Sequence, residues 1–414
     1  MSRVPAIRRF LVMADLTWVS GGAMTANVTG YLLQVLAGRW LGVSGGFSEF
    51  ASLLALQLLC AVPALALQNV VARDVVGGAG VAQLRGLQWR CAAVVAVAAA
   101  LVTPLVAGML QVGVAAAAAA LAAAPALVLL AGEQGILQGN KQFRALGVVL
   151  GTAGIARVGP ALVILALGGG VPLTLLAATC GIVAAAVCAR MIAGEPATRA
   201  RGELDRDDVP VARVRPVLWA AQVQAALMAL SSADLLVVRI VLEEADASRY
   251  AFGTIATKIA FWLPQAVGVV LYPRMAQPTQ SASAIRVALA VLSGIGLTAV
   301  LGAALAAPLA PLLAGPGYAP VQDLLWLFAL HGAVLAVLQG AVLSAIAIGR
   351  TSLAAFAWLG LAVEIVAMVV LARSIPAVLV TAVSVAACTT VVVAAVVVRA
   401  ADTTAGPDPL RPVS

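Results

Sequence analysis

Several ionisable side chains in this sequence interrupt long apolar runs. Arg157 stands in GTAGIARVGPALVIL and Glu364 in LGLAVEIVAMVVL, each about midway along a run long enough to cross a membrane as a helix. Asp234, Arg239 and Lys258 lie toward the ends of two further runs, and Glu133 near the end of another. A charged group at the centre of a membrane helix costs about 2.5 to 3.5 kcal/mol on insertion scales, so it faces a cavity or a partner and not lipid. Arg157, Arg239 and Lys258 would form a cationic cavity for an anionic headgroup, because guanidinium forks match phosphate oxygens in charge and geometry. The competing reading is structural: two ion bridges, Arg157 with Glu364 and Asp234 with Arg239.

Other polar groups in the apolar runs are equivocal. The one histidine, His331, reads either as a satisfied core side chain or as a proton relay. Amides such as Gln57, Gln68, Gln138 and Gln339 either hydrogen-bond between helices, at about 0.6 kcal/mol each, or line a hydrated path. Gln222 and Gln224 cannot share a helix face. Cys60, Cys91, Cys180, Cys188 and Cys388 lie inside apolar runs without pairing or ligand spacing and read as packing residues. There is no metal-ligand cluster and no phosphate-binding glycine loop, so the expectation is a non-enzyme with no cofactor and no metal.

The elements that must position these groups follow from composition. The 414 residues are 63% hydrophobic and only 10% charged, with a mean hydropathy of +1.07; a water-soluble core could not hide so much apolar surface. Apolar runs cover about twelve segments: 13–37, 50–72, 87–109, 114–138, 145–167, 172–193, 216–241, 251–272, 285–307, 321–348, 352–372 and 376–398. A membrane β-barrel needs strands of about ten residues alternating in polarity, and these unbroken Ala, Val and Leu runs exclude it. The first run carries Asp15, Trp18 and Asn27 with no cleavage pattern, so it reads as a helix and not a signal peptide. The fold class is therefore an all-α integral membrane protein of about twelve transmembrane helices.

The formal charge of +8 lies between these segments, which argues for membrane orientation and against nucleic acid. With both termini in the cytoplasm, nineteen Lys and Arg fall inside, among them Arg73, Arg85, Lys141 and Arg274, and only Arg39, Arg249 and Arg373 fall outside. The polar stretch 194–215 reads as a cytoplasmic linker between a six-helix bundle over 1–193 and a second over 216–400, with 401–414 a disordered tail. The halves resemble one another: Phe50, Pro63 and Arg73 recur as Tyr250, Pro264 and Arg274, with equal proline-to-arginine spacing. Such a parallel repeat is a design of secondary transporters, whose substrate path lies between the halves. Pro63 and Pro264 each kink a helix, either as a fixed bend or as a hinge for rocking.

Residues 231–276, SSADLLVVRIVLEEADASRYAFGTIATKIAFWLPQAVGVVLYPRMA, resemble the middle of the polysaccharide-transporter flippases: an Asp-containing helix, an acidic outer loop ending in an aromatic, and a helix closing on Pro-Arg. Residues 315–350, with a Tyr-containing outer turn and a helix ending in Gly-Arg, are similar to that family's next signature, and LAGRWLG, FSEFASLLAL and LQGNKQF fit the same scheme. The first outer loop departs from it, reading LGVSGGFSEF where the family has Gly-Pro-Glu-Glu-Phe-Gly, which puts the substrate in question. These flippases belong to the multidrug, oligosaccharidyl-lipid and polysaccharide (MOP) exporter superfamily. The resemblance implies two parallel six-helix bundles of MOP-exporter type in the cytoplasmic membrane. It also implies alternating-access transfer of polyprenyl-pyrophosphate-linked oligosaccharide, with membrane lipids and other polysaccharide-assembly proteins as partners. The alternatives are a cation-coupled multidrug exporter of the same superfamily, which should centre on unpaired carboxylates such as Asp15, Asp234 and Glu364, and a membrane glycosyltransferase or polymer ligase. The last would need a long outer loop bearing catalytic residues, and the outer loops here are short.

Overall fold

The computed structural model describes residues 4–44, 46–194, 225–226, 228–263, 281–347, 354–371 and 373–404, and every regular element among them is helical. That is the expected consequence of apolar surroundings, in which each backbone N–H and C=O must find its partner inside its own segment. Among the described residues, eight helices are long and apolar enough to span a membrane, and shorter apolar helices such as Ala355–Leu371 accompany them. The chain is all-α, with the about twelve helices anticipated from its hydropathy.

By contacts the chain divides into two compact units, Met1–Leu41 with Glu49–Gln222, and Gly42–Ser48 with Val223–Ser414. The first contains α1 (Val4–Leu41), most of α2 (Phe47–Val76), α3 (Val81–Leu110), α4 (Val114–Leu121), α5 (Ala123–Gly139), α6 (Phe143–Ala166) and α7 (Val171–Ala193). Pro63 lies inside α2. The apolar run 114–138 is one span, Val114–Gly139, with a kink at Ala122 that divides it into α4 and α5. Pro125, on the far side of the break, has no N–H to offer the Leu121 carbonyl, and its ring crowds the preceding turn.

Helix α6 lies against α1 and α7 through glycines. A Cβ on Gly147 would overlap the Trp18 carbonyl, one on Gly154 would meet Ala26, and one on Gly181 would overlap the Ala156 carbonyl. Small residues allow this approach where helices share no hydrophobic driving force. Outward faces carry the bulky apolar side chains, such as Val97, Leu101 and Leu105 of α3.

The second unit contains α8 (Ala233–Val241), α9 (Glu244–Trp262), α10 (Ser281–Ala306), α11 (Leu309–Ala314), a 3-10 turn over Pro316–Tyr318, α12 (Ala319–Gln322), α13 (Leu325–Ala347), α14 (Ala354–Leu371) and α15 (Ile375–Thr404). Helix α13 is its axis and packs on α9, α10 and α15. Gly332 meets the Thr257 carbonyl of α9 and Gly340 meets Leu292 of α10. Helix α9 starts at Glu244, earlier than the apolar run suggested. Glu244 and Asp246 in its first turn favour the helix N-terminus, and Arg249 bridges to Asp246 at 2.7 Å. Pro264 and the linker beyond Gly194 lie outside the described residues.

The segment Gly42–Ser48 precedes most of α2 in sequence but packs in the second unit. The Ser48 N–H donates to Ser248 Oγ at 3.2 Å, Arg239 donates to Ser48 Oγ, and Phe47 meets Tyr318 edge-on. Burial among Phe47, Phe252 and their neighbours pushes the Tyr318 phenol above its ordinary value, with Arg249 opposing.

Candidate functional sites in the two units

In the first unit Arg157 projects from α6. One of its terminal nitrogens donates to Gln57 Oε1 at 2.9 Å, and its Nε, shielded from solvent, has no hydrogen-bond partner among the described residues. Gln57, on α2, is buried, and its Nε2 donates to the Ala120 carbonyl at 3.0 Å. About two turns into α7, Thr179 Oγ1 donates to the adjacent Ala119 carbonyl at 3.0 Å. Both carbonyls belong to the last turn of α4 before the kink at Ala122, where they accept side-chain donors from α2 and α7. Arg157 thus carries a positive charge with a spare N–H, held by a chain of contacts that begins at the break.

Near the end of α5, Glu133 is buried and receives both edges of Arg85, Nε at 3.0 Å and a terminal nitrogen at 3.1 Å. The same guanidinium donates to the Gly194 carbonyl at 3.1 Å. Glu133 therefore sits in a bidentate ion pair. Gln68 and Gln138 bond to each other between α2 and α5 at 3.0 Å, the interhelical role open to such amides.

The second unit gathers a buried polar cluster. Asp234, 1% exposed, sits in the first turn of α8, where the helix N-terminus favours a carboxylate. Its Oδ1 accepts the Leu235 N–H at 2.8 Å, its Oδ2 accepts the Tyr250 hydroxyl at 2.9 Å, and His331 Nδ1 stands 3.9 Å from Oδ2. Glu364, fully buried on α14, lies within electrostatic reach of Asp234 and Tyr250. Neither of its oxygens, and neither ring nitrogen of His331, has a hydrogen-bond partner among the described residues. Four helices, α8, α9, α13 and α14, thus bring two carboxylates, an imidazole and a phenol together. Bare buried polar atoms of this kind are costly unless a cation or proton completes them.

The suggested Asp234–Arg239 bridge is not what these side chains make. Asp234 accepts the Tyr250 hydroxyl, with His331 3.9 Å away, whereas Arg239 bonds Ser48 and stands 3.8 Å from Glu244. Five positions turn two side chains to different faces of a helix, which is why they part. Lys258 is buried on α9, eight residues beyond Tyr250. Of the five charged candidates, Asp234 and Glu364 are brought together, Arg239 lies at the far end of α8, and Arg157 belongs to the other unit. Tyr250 and Gln57 are the participants that charge alone does not reveal. Both are neutral and signal themselves only as polar groups inside apolar runs.

The sequence matches no family model and no curated protein. Solved structures do match, over nearly its whole length. The lipid II flippase MurJ in an inward closed conformation has a TM-score of 0.70 at 10% identity, covering 94% of this chain and 89% of that one. An outward-facing multidrug resistance MATE family transporter of the MOP superfamily has 0.67 at 15% identity, covering 94% and 96%. The fold is that of MOP-superfamily transporters. A third MOP-superfamily transporter, from Pyrococcus furiosus and described as having a binding pocket of reversed polarity with a suggested different function, has a TM-score of 0.59 at 15% identity over 95% and 96%. A flippase and a multidrug exporter share this fold, so the fold by itself assigns no activity.

Proposed function

We propose that this chain is an alternating-access transporter that carries polyprenyl-pyrophosphate-linked oligosaccharide outward across the cytoplasmic membrane, with the pyrophosphate anchored at Arg157. The observation behind this reading is Arg157 itself, a guanidinium at mid-helix that, among the described residues, bonds a neutral amide and leaves its Nε without a partner. A cation held this way in apolar surroundings keeps its charge for an anionic ligand, and a planar fork suits phosphate oxygens. MurJ, which shares the fold, is named a lipid II flippase. The distribution of Lys and Arg supports cytoplasmic termini, and a membrane potential negative inside favours outward movement of each negative charge by about 2.3 kcal/mol per 100 mV. Other polysaccharide-assembly proteins are the expected neighbours, and no chemical conversion of the substrate is part of the proposal.

A second reading, a cation-coupled exporter of small cationic compounds, draws on Glu364. Its two unpartnered oxygens lie within electrostatic reach of Asp234, in a cluster fit to take up a proton or a monovalent cation. Mass spectrometry of polyprenyl-linked glycans, with and without the gene, separates the two. The flippase reading expects a completed lipid-linked oligosaccharide to accumulate on deletion, and R157A at normal protein level to restore less than about a tenth of parental export, the loss of one charge-assisted contact. Unchanged glycans, with heightened sensitivity to cationic compounds reproduced by E364Q, would transfer the function to the second reading.

A further inference from the structure

We infer that Gln57 is a positioning residue for anion recognition, oriented by a backbone carbonyl in the last turn of α4. This rests on the reading of Arg157 as the headgroup anchor. Pro125 cannot donate to Leu121, the helix breaks at Ala122, and the Ala120 carbonyl accepts a side-chain donor at 3.0 Å. A carbonyl only accepts, so it dictates which way the Gln57 amide faces: Nε2 toward Ala120 and Oε1 away from it, toward α6. Arg157 then donates to that oxygen at 2.9 Å. Gln57 is 2% exposed, so its rotamer is confined by packing.

Residue type matters at each link. A carboxylate at position 57 would turn one oxygen against the Ala120 carbonyl and would neutralise the guanidinium. An apolar side chain would leave both Ala120 and Arg157 without this partner. Only an uncharged group that donates on one side and accepts on the other fixes the guanidinium while leaving its charge unspent. Thr179 supplies an internal comparison: it bonds the neighbouring Ala119 carbonyl at 3.0 Å in the same turn, and none of its described hydrogen bonds reaches Arg157.

The test uses the full chain in lipid nanodiscs, with farnesyl pyrophosphate as the probe, titrated by calorimetry, and thermal melting recorded alongside. The parent should bind and R157A should lose affinity at least tenfold. Q57M should weaken binding by about tenfold, the size of one charge-assisted hydrogen bond. T179V should melt as early as Q57M yet bind like the parent. Q57E, which keeps the side-chain length, should bind no better than Q57M and covers the case in which Q57M does not fold. Q57M binding as tightly as the parent, or Q57M and T179V weakening it equally, would overturn the role of Gln57 while leaving Arg157 in place. A parent that does not bind the probe, or an R157A variant that binds it undiminished, would overturn the anchor and this inference together.

Discussion

Replacing Arg85 with Ala should destabilise the protein more than removal of a surface charge would. The Arg85 side chain is 14% exposed and that of Glu133 is 4% exposed, and two parallel N–H···O contacts at 3.0 and 3.1 Å join them. The same guanidinium supplies the Gly194 carbonyl at 3.1 Å. Alanine removes all three contacts and leaves Glu133 buried without its counter-charge, which costs about 3 to 5 kcal/mol. For a unit of this size each kcal/mol lowers the midpoint by about 2 to 4 °C, so R85A should melt about 6 to 20 °C below the parent. The paired variant R85L/E133L deletes both charges and should recover most of that loss, because well-packed apolar residues replace a buried ion pair at little net cost. Melting of the purified protein in detergent, followed by the fluorescence of an added thiol-reactive dye, reads both. An R85A midpoint within about 1 °C of the parent, or a double variant as unstable as the single one, would show that Glu133 finds another partner and that the reasoning is wrong.

Two further outcomes follow from packing and burial. G332A should destabilise by about 1 to 3 kcal/mol, because a Cβ there overlaps the Thr257 backbone carbonyl, whereas G294A, with nothing within 4 Å, should be neutral or stabilise by up to about 1 kcal/mol as alanine replaces a helical glycine; equal midpoints for the two variants would count against the α9–α13 contact. Burial raises the Tyr318 phenol above its unfolded value of 10.0, so its contribution to stability is complete below that pH and is lost as the pH climbs beyond it. Y318F should therefore be less sensitive than the parent to pH above about 10 in the same melting assay, and parallel pH profiles would refute this.

Much of the fold was legible in the residues alone because insertion into a membrane is nearly a one-dimensional property. A run of about twenty apolar residues commits to a helix whatever its neighbours are, since its backbone has no other way to satisfy itself in lipid. Hence the all-α class and the helices of 87–109, 145–167 and 172–193 follow from hydropathy, as does the helical setting of Pro63. The same property explains what hydropathy blurs. The break at Ala122 does not change the apolar character of 114–138, and the early start of α9 at Glu244 is a charge and capping effect in a polar stretch. Candidate charges were visible by type, for Arg157, Asp234 and Glu364 each stand out against apolar neighbours.

Partnership was another matter. Arg157 is held by Gln57, one hundred positions earlier, and Asp234 by Tyr250 from another helix in preference to Arg239 on its own. Gly42–Ser48 packs with helices that begin almost two hundred residues later. Sequence determines which groups are too costly to leave in lipid, because that cost belongs to each residue singly. Only tertiary structure decides which of them meet, because a hydrogen bond acts over about 3 Å and the distance is set by how helices pack, not by their order along the chain.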